Sequence, residues 1–123
     1  MQVDVRLTNI PGTAAAVGWA GGHTLVADRP KGSAGGLGIG FNGAQLLALA
    51  LGGCFCNDLR YVAEELGVKL GDISVDVSLD LEGSPLVATG ARLSVSCSTL
   101  DGSDPVAIVT RARASCMVSN SLV

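Results

Sequence analysis

Alternation of apolar and polar residues predicts short strands at the start of the chain. Val3, Val5 and Leu7 alternate with polar residues, which is the pattern of a strand with one buried face. Glycine-containing turns divide the apolar segments that follow, so we expect a meander of three strands within residues 1–28. A long glycine-rich loop is predicted for residues 29–43.

A continuous apolar segment predicts a helix over residues 44–66. Gly67 directly follows it and suits the left-handed backbone conformation that ends many helices. The first half of the helix is almost wholly apolar, so we expect it to be buried on most sides. The second half is amphipathic and is expected to lead out to solvent.

Strict alternation after the helix predicts an antiparallel hairpin over residues 73–99, with one face in water. The expected inward row is Ile73, Val75, Val77, Leu79, Leu81, Ala91, Leu93, Val95 and Cys97. A second helix is predicted over residues 104–117, with Asp104 as N-cap and Pro105 in the first helical position. One short extended piece is expected to follow. Because strands and helices are segregated along the chain, the fold class is α+β, and residues 1–123 are expected to form a single domain.

Composition narrows the classes of partner. The net charge is −3, charged residues make up 15% of the chain, and neither a basic cluster nor an aromatic platform is present, which argues against nucleic acid. Hydrophobic residues make up 48%, so part of the surface is expected to be covered by a partner subunit. No uninterrupted apolar segment reaches the ~18 residues of a membrane span. The N-terminus is unlike a signal peptide, so a cytoplasmic location is expected, with cysteines that are reduced rather than in a disulfide framework.

Two other motifs have weak functional interpretations. Gly38, Gly40 and Gly43 have the spacing of a dinucleotide fingerprint, but the next strand belongs to an antiparallel hairpin rather than to a βαβ unit. The segment is therefore interpreted as a loop whose backbone passes close to another surface. His23, the single histidine, is interpreted as an exposed residue at a hairpin end.

The cysteines offer several kinds of chemistry. Cys54 and Cys56 lie on the predicted helix, where residues two apart point about 200° apart around the axis, so both sulfurs cannot reach one ion. The sequence therefore predicts no metal and no cofactor. Cys54 lies where an apolar stripe becomes polar, as a partly accessible reactive thiol would, whereas Cys56 and Cys97 are interpreted as packing residues. Cys116 lies on the apolar stripe of the second helix, and contact with Cys54 is one of the alternatives that the pattern leaves open.

Three segments together resemble the OsmC/Ohr family of thiol-dependent hydroperoxide reductases. "AQLLALALGGCFCNDLRYVAEELGV" is similar to the family's central helix, "ARASCMVSNSLV" to its second-cysteine segment, and "VADRPKGSAGGLGIGFNG" to the preceding loop. They span roughly residues 24–122. The resemblance implies antiparallel sheets around a long buried central helix, in an intertwined homodimer with each active site at the subunit interface.

The resemblance also implies a reaction. Cys54 would be the peroxidatic thiol of a peroxiredoxin-like enzyme active in oxidative stress, and would reduce an organic hydroperoxide to an alcohol while becoming a sulfenic acid. Cys116 would resolve it as a Cys54–Cys116 disulfide, which a dithiol or a lipoylated protein would reduce.

This chain departs from the family pattern around the reactive thiol. Gly43 and Ala44 stand where the family's hydroperoxide reductases have a Pro-Glu pair, and the early hairpin holds no arginine. Cys54 is about three turns from the helix N-terminus, beyond the reach of the helix dipole, so a cation must favour its thiolate. Arg29 and Arg113 are the candidates. The alternatives are a non-catalytic dimer that binds a small apolar ligand at the subunit interface, and a structural metal dimer.

Overall fold

The computed structural model describes residues 1–122, and Val123, the last residue of the predicted domain, lies outside the described residues. The elements are β1 (Arg6–Asn9), β2 (Ala16–Ala20), β3 (His23–Ala27), α1 (Gly43–Glu65), β4 (Leu70–Glu82), β5 (Val87–Thr99), α2 (Val106–Ser115) and α3 (Met117–Ser121). Two separate antiparallel sheets and the helices give the predicted α+β class, which is confirmed. The chain divides into two compact units, residues 1–46 and the residues from Leu47 onward, so the single-domain expectation stays a prediction.

The N-terminal unit holds a three-stranded meander in the order β1-β2-β3. Its first strand begins at Arg6, and the predicted strand residues Val3 and Val5 precede it and are exposed. The reason lies in the register: Arg6 pairs with Trp19, next to the last residue of β2, so little of β2 remains for earlier residues to pair with. His23 pairs with Ala20 at the β2–β3 turn and is exposed, as the sequence predicts.

The glycine-rich loop is held by the buried carboxylate of Asp28. One carboxylate oxygen accepts the backbone N–H of Arg29 at 2.8 Å, and the other accepts those of Leu37 at 3.0 Å and Ile39 at 3.2 Å. Burial pushes the pKa of Asp28 up, but these N–H donors and the Arg29 guanidinium hold it below its ordinary value of 3.8. At Gly40 a side chain would overlap the carbonyl of Val26, so this glycine allows the close backbone approach that the sequence analysis expects of the motif.

We expect Asp28→Asn to loosen this loop. The neutral amide offers one acceptor oxygen instead of two charged ones, so hydrogen exchange at the Leu37 and Ile39 amides should rise by about tenfold. Because the folded pKa lies below 3.8, the carboxylate stabilises the loop above that pH, and the stabilisation is lost as the pH falls through the folded value. Exchange corrected for intrinsic rates should therefore show an acid-dependent loss of protection in the wild type but not in the variant. A pH-independent difference would contradict the assignment.

Helix α1 begins one residue before the predicted range. A capping box fixes its start, since Asn42 and Gln45 exchange backbone-to-side-chain hydrogen bonds of 3.0 and 2.9 Å. Gly67 follows the helix with φ +69°, the left-handed conformation expected of it.

The prediction that the first half of α1 is buried on most sides is wrong. Four of its five buried residues, Phe55, Leu59, Val62 and Ala63, lie in the second half, and one, Leu51, lies in the first half, where Leu49 is 46% exposed. The reason is that α2 and the hairpin of the same chain pack against the second half. By length and composition alone α1 could cross a membrane (mean hydropathy 1.3), a test that core helices of soluble proteins also pass. The absence of a membrane span therefore stays a prediction.

The hairpin β4–β5 supplies the sheet face of the core. Val75 pairs with Val95, and their row packs against the second half of α1 and against Ile108 and Ala112 of α2. Most of the predicted inward residues are half-buried, but Leu81 and Ala91 are exposed. At Leu81 the cause is an irregularity between Asp80 and Leu81 that shifts the register.

The C-terminal segment corrects two expectations. The N-cap of α2 is Pro105 rather than Asp104, whose carboxylate nevertheless accepts the N–H of Val106 at 3.0 Å. Cys116 has φ −61° and ψ 109°, which is extended backbone, so α2 ends before it. The short helix α3 then follows where an extended piece was predicted, because the N–H of Asn120 bonds the Cys116 carbonyl at 2.9 Å.

Candidate functional site

The side chains of Cys54, Asp58 and Cys116 meet in the unit that begins at Leu47. The two sulfurs and a carboxylate oxygen all lie within 4.8 Å of one another. The Cys54 Sγ–H donates to Asp58 Oδ2 at 3.7 Å. The structure thus brings together the two cysteines whose contact the sequence left open, and adds a carboxylate to them.

Local structure explains the cluster. Cys54 and Asp58 are four residues apart on α1, so they lie one above the other on the same helix face. Cys116 lies at the extended break between α2 and α3 rather than in the last turn of a helix, and it is only 1% exposed. Cys54 and Asp58 are half-buried. One thiol is therefore enclosed, and the other is partly accessible.

The surroundings of Cys116 favour its protonated form. Burial raises the pKa of the Cys116 thiol, and the neighbouring Cys54 and Asp58 raise it further, while a backbone hydrogen bond at Ser119 opposes them. Both cysteines are free thiols. Bringing the sulfurs to the bonding distance of about 2.05 Å requires them to move together.

A cavity of about 700 Å³ adjoins Cys116. Its walls come from α1, the hairpin and the C-terminal helices, and include Leu51, Phe55, Leu79, Leu93, Arg113 and Leu122. The guanidinium carbon of Arg113 lies 6.0 Å from the centre of the Phe55 ring, at the outer limit of a cation–π contact. Arg113, one of the two candidate cations, therefore shares the cavity wall with Cys116.

Arg29, the other candidate, is engaged within the N-terminal unit. Its guanidinium donates to the carbonyl of Ala14 and lies 3.6 Å from the Asp28 carboxylate. These contacts give Arg29 a structural role in the loop, and any part in activating a thiol stays a prediction.

The remaining cysteines lie outside the cluster. Cys56 and Cys97 are half-buried, and burial raises the pKa of the Cys97 thiol although the charge of Arg60 opposes it. The Gly52–Gly53 pair lets α1 approach the hairpin closely, because a Cβ at Gly52 would lie 3.0 Å from Cγ2 of Val77. At Gly53 no such neighbour lies within 4 Å among the described residues.

Asp58 is the site residue that the sequence analysis missed. Its spacing of four from Cys54 places both side chains on one helix face, but the sequence pattern does not show that Cys116 lies beside them. The catalytic roles of Cys54 and Cys116 themselves stay predictions, since proximity alone does not test them.

Comparison with known proteins gives a consistent result. Residues 34–123 match the family model described as "OsmC-like protein". A search of curated proteins found no match. An OsmC-like protein from Mycoplasma pneumoniae is 14% identical, with a TM-score of 0.79, and the match covers 99% of this chain and 87% of that one.

Two further solved structures have names that mention hydroperoxides. An organic hydroperoxide resistance protein OsmC from Legionella pneumophila is 22% identical, with a TM-score of 0.66 and coverage of 98% of this chain and 88% of that one. The organic hydroperoxide resistance protein OhrB of Bacillus subtilis is 23% identical, with a TM-score of 0.56 and coverage of 98% and 90%. At these identities the likeness shows the fold.

Proposed function

This chain belongs to the OsmC-like protein family, and we propose that it is a thiol-dependent peroxidase that reduces organic hydroperoxides. The observation that supports the proposal most directly is the approach of Cys54 to Cys116. Both thiols are free, and the two sulfurs and the Asp58 carboxylate oxygen all lie within 4.8 Å of one another. A half-buried thiol next to an enclosed one is the arrangement that a two-cysteine peroxidase needs.

The reaction divides into two steps at these sulfurs. The Cys54 thiolate attacks the outer oxygen of the hydroperoxide, the O–O bond breaks, and the alkoxide takes a proton to leave as an alcohol. Cys54 is then a sulfenic acid. The Cys116 thiol displaces its hydroxyl as water and forms the Cys54–Cys116 disulfide, and a dithiol or a lipoylated protein returns both sulfurs to thiols.

The cavity fits the organic part of such a substrate. Leu51, Phe55 and Leu79 give it apolar walls beside Cys116, and Arg113 offers a positive charge at the same wall. Arg92 also lines the cavity, but its guanidinium is paired with the Asp80 carboxylate at 3.1 Å. Arg113 forms no ion pair within the described residues 1–122, so Arg113 is the cation that we assign to the thiolate.

We propose a cytoplasmic homodimer as the working form. The support is the apolar surface that one chain leaves open, since Leu49 on α1 is 46% exposed although its helix is among the most apolar segments of the chain. A second copy that packs on the first half of α1 would give it the burial that its sequence pattern predicts.

A direct test is to trap the disulfide. Treating the reduced protein with one equivalent of an organic hydroperoxide should link Cys54 to Cys116, and peptide mass spectrometry should find that bond in most molecules. Cys56 and Cys97 should stay free, because neither belongs to the cluster. Recovery of Cys54 and Cys116 as unmodified thiols would contradict the proposal.

A second candidate function is the binding of a small apolar molecule without turnover. The size and apolar lining of the cavity favour it. A ligand that raises the melting temperature, in a protein whose peroxide consumption stays at background, would select this alternative.

A further inference from the structure

We propose that reduced Cys54, Asp58 and Cys116 form a zinc-binding site, which is a property beyond the proposed peroxidase activity. Zinc binding itself requires only the reduced side chains. Its effect on peroxide turnover rests on the proposed function.

The distances within the cluster suit a tetrahedral ion. Zinc bonds of about 2.3 Å to sulfur and about 2.1 Å to oxygen place the S···O edges of a tetrahedron at about 3.6 Å and the S···S edge at about 3.8 Å. The Cys54 Sγ to Asp58 Oδ2 distance is 3.7 Å. The two sulfurs and the carboxylate oxygen all lie within 4.8 Å of one another. The other two distances, both to the Cys116 sulfur, therefore reach tetrahedral values with atomic shifts of about 1 Å.

The backbone holds the three ligands on two separate supports. Cys54 and Asp58 are fixed relative to each other by one turn of α1. Cys116 is held at the helix break, where its carbonyl accepts the Asn120 N–H at 2.9 Å. The divergence of Cys54 and Cys56 on the helix argues against a metal held by that pair, but the ligand set proposed here does not include Cys56.

The negative charges of the cluster also favour the binding of a cation. Asp58 forms no ion pair with any residue in the described range 1–122, and its carboxylate faces two sulfurs that become negative when they ionise. On binding zinc the two thiols release their protons to solvent, and a divalent ion then offsets two of the three negative charges.

The chemistry of the ligands selects the class of metal. Two thiolates favour zinc over magnesium or calcium, which prefer oxygen ligands. Three protein ligands leave the fourth coordination position for water or a small ligand. Zinc on both sulfurs prevents either from reacting with peroxide, and a disulfide removes both sulfur ligands. The same site is therefore either zinc-bound or open to oxidation.

Zinc affinity can be measured by competition with a chromogenic indicator, using the reduced, full-length protein without peroxide. We expect one zinc ion per chain. Asp58→Asn should weaken binding at least about tenfold, since even the loss of groups that only orient metal ligands costs 10- to 100-fold. Cys54→Ser should weaken it further. The matched control Cys97→Ser alters a free thiol outside the cluster and should bind as the wild type does.

Cobalt gives a second readout that uses only the wild-type protein, so it does not depend on whether a variant folds. Cobalt(II) added to the wild type should show the thiolate-to-metal absorption of a tetrahedral site, and prior oxidation to the disulfide should abolish it. Equal zinc affinity in wild type, Asp58→Asn and Cys54→Ser would overturn the proposal, as would absence of the cobalt absorption in the reduced wild type.

Turnover assays separate this proposal from the proposed function. If the protein binds zinc at the cluster but consumes no peroxide after chelation, the zinc site stands and the peroxidase assignment fails. If the chelated protein is active and neither metal binds, the reverse holds. If both stand, added zinc should inhibit turnover in the wild type, and a chelator should restore it.

Discussion

Replacing Cys54 with serine is expected to abolish the reduction of organic hydroperoxides, by a factor on the order of 10³ or more. A serine hydroxyl does not attack a peroxide bond at neutral pH, and it cannot condense with Cys116 to a disulfide. The substitution removes one half-buried sulfur and leaves the core of α1 unchanged, so the protein should stay folded. Initial rates of peroxide loss with a dithiol donor, in the presence of a chelator, measure the effect.

Two matched variants make this result specific. Cys56→Ser alters a thiol two residues away on the same helix, and Cys97→Ser alters one on β5, and both should keep wild-type rates. Without a dithiol donor, Cys116→Ser should still consume one equivalent of peroxide per chain and then stop as a sulfenic acid that dimedone, a carbon nucleophile that reacts with sulfenic acids, can label. Wild-type turnover in Cys54→Ser would exclude Cys54 as the reacting sulfur.

The hairpin and α1 were predictable because their patterns are local. Alternation along β4 follows from the period of two of a strand, and Gly67 ends α1 through its own backbone conformation. The burial of α1 was not predictable in the same way. An apolar half-helix looks the same in a sequence whether its own chain or a second chain covers it.

The candidate site shows the same limit. The two cysteines could be singled out from their types and from the family resemblance, but the role of Asp58 depends on where Cys116 lies in space. Cys116 reaches Asp58 because the backbone is extended at that residue, and the helical pattern of α2 predicted continuation instead. A single non-helical residue therefore decided which side chains meet.

A second large effect is expected from Leu59→Ala. Leu59 is fully buried on α1 and packs in the cluster that includes Phe55 and Ile108. Truncation removes three buried carbon atoms and leaves a cavity, which costs about 3 kcal/mol of the free energy of unfolding. Urea unfolding followed by circular dichroism should show the loss as a lower midpoint with an unchanged slope.

Leu49→Ala provides the matched control on the same helix and also tests the proposed dimer. Leu49 is 46% exposed in one chain, so truncation should cost less than about 1 kcal/mol in a monomer. If a second copy covers the first half of α1, the cost should approach that of Leu59→Ala, and the unfolding midpoint should rise with protein concentration. A loss at Leu59 as small as that of an exposed leucine would contradict the core described for this unit. A concentration-independent midpoint with a negligible loss at Leu49 would instead exclude the dimer, because an apolar helix face held by a partner cannot lose a leucine without cost.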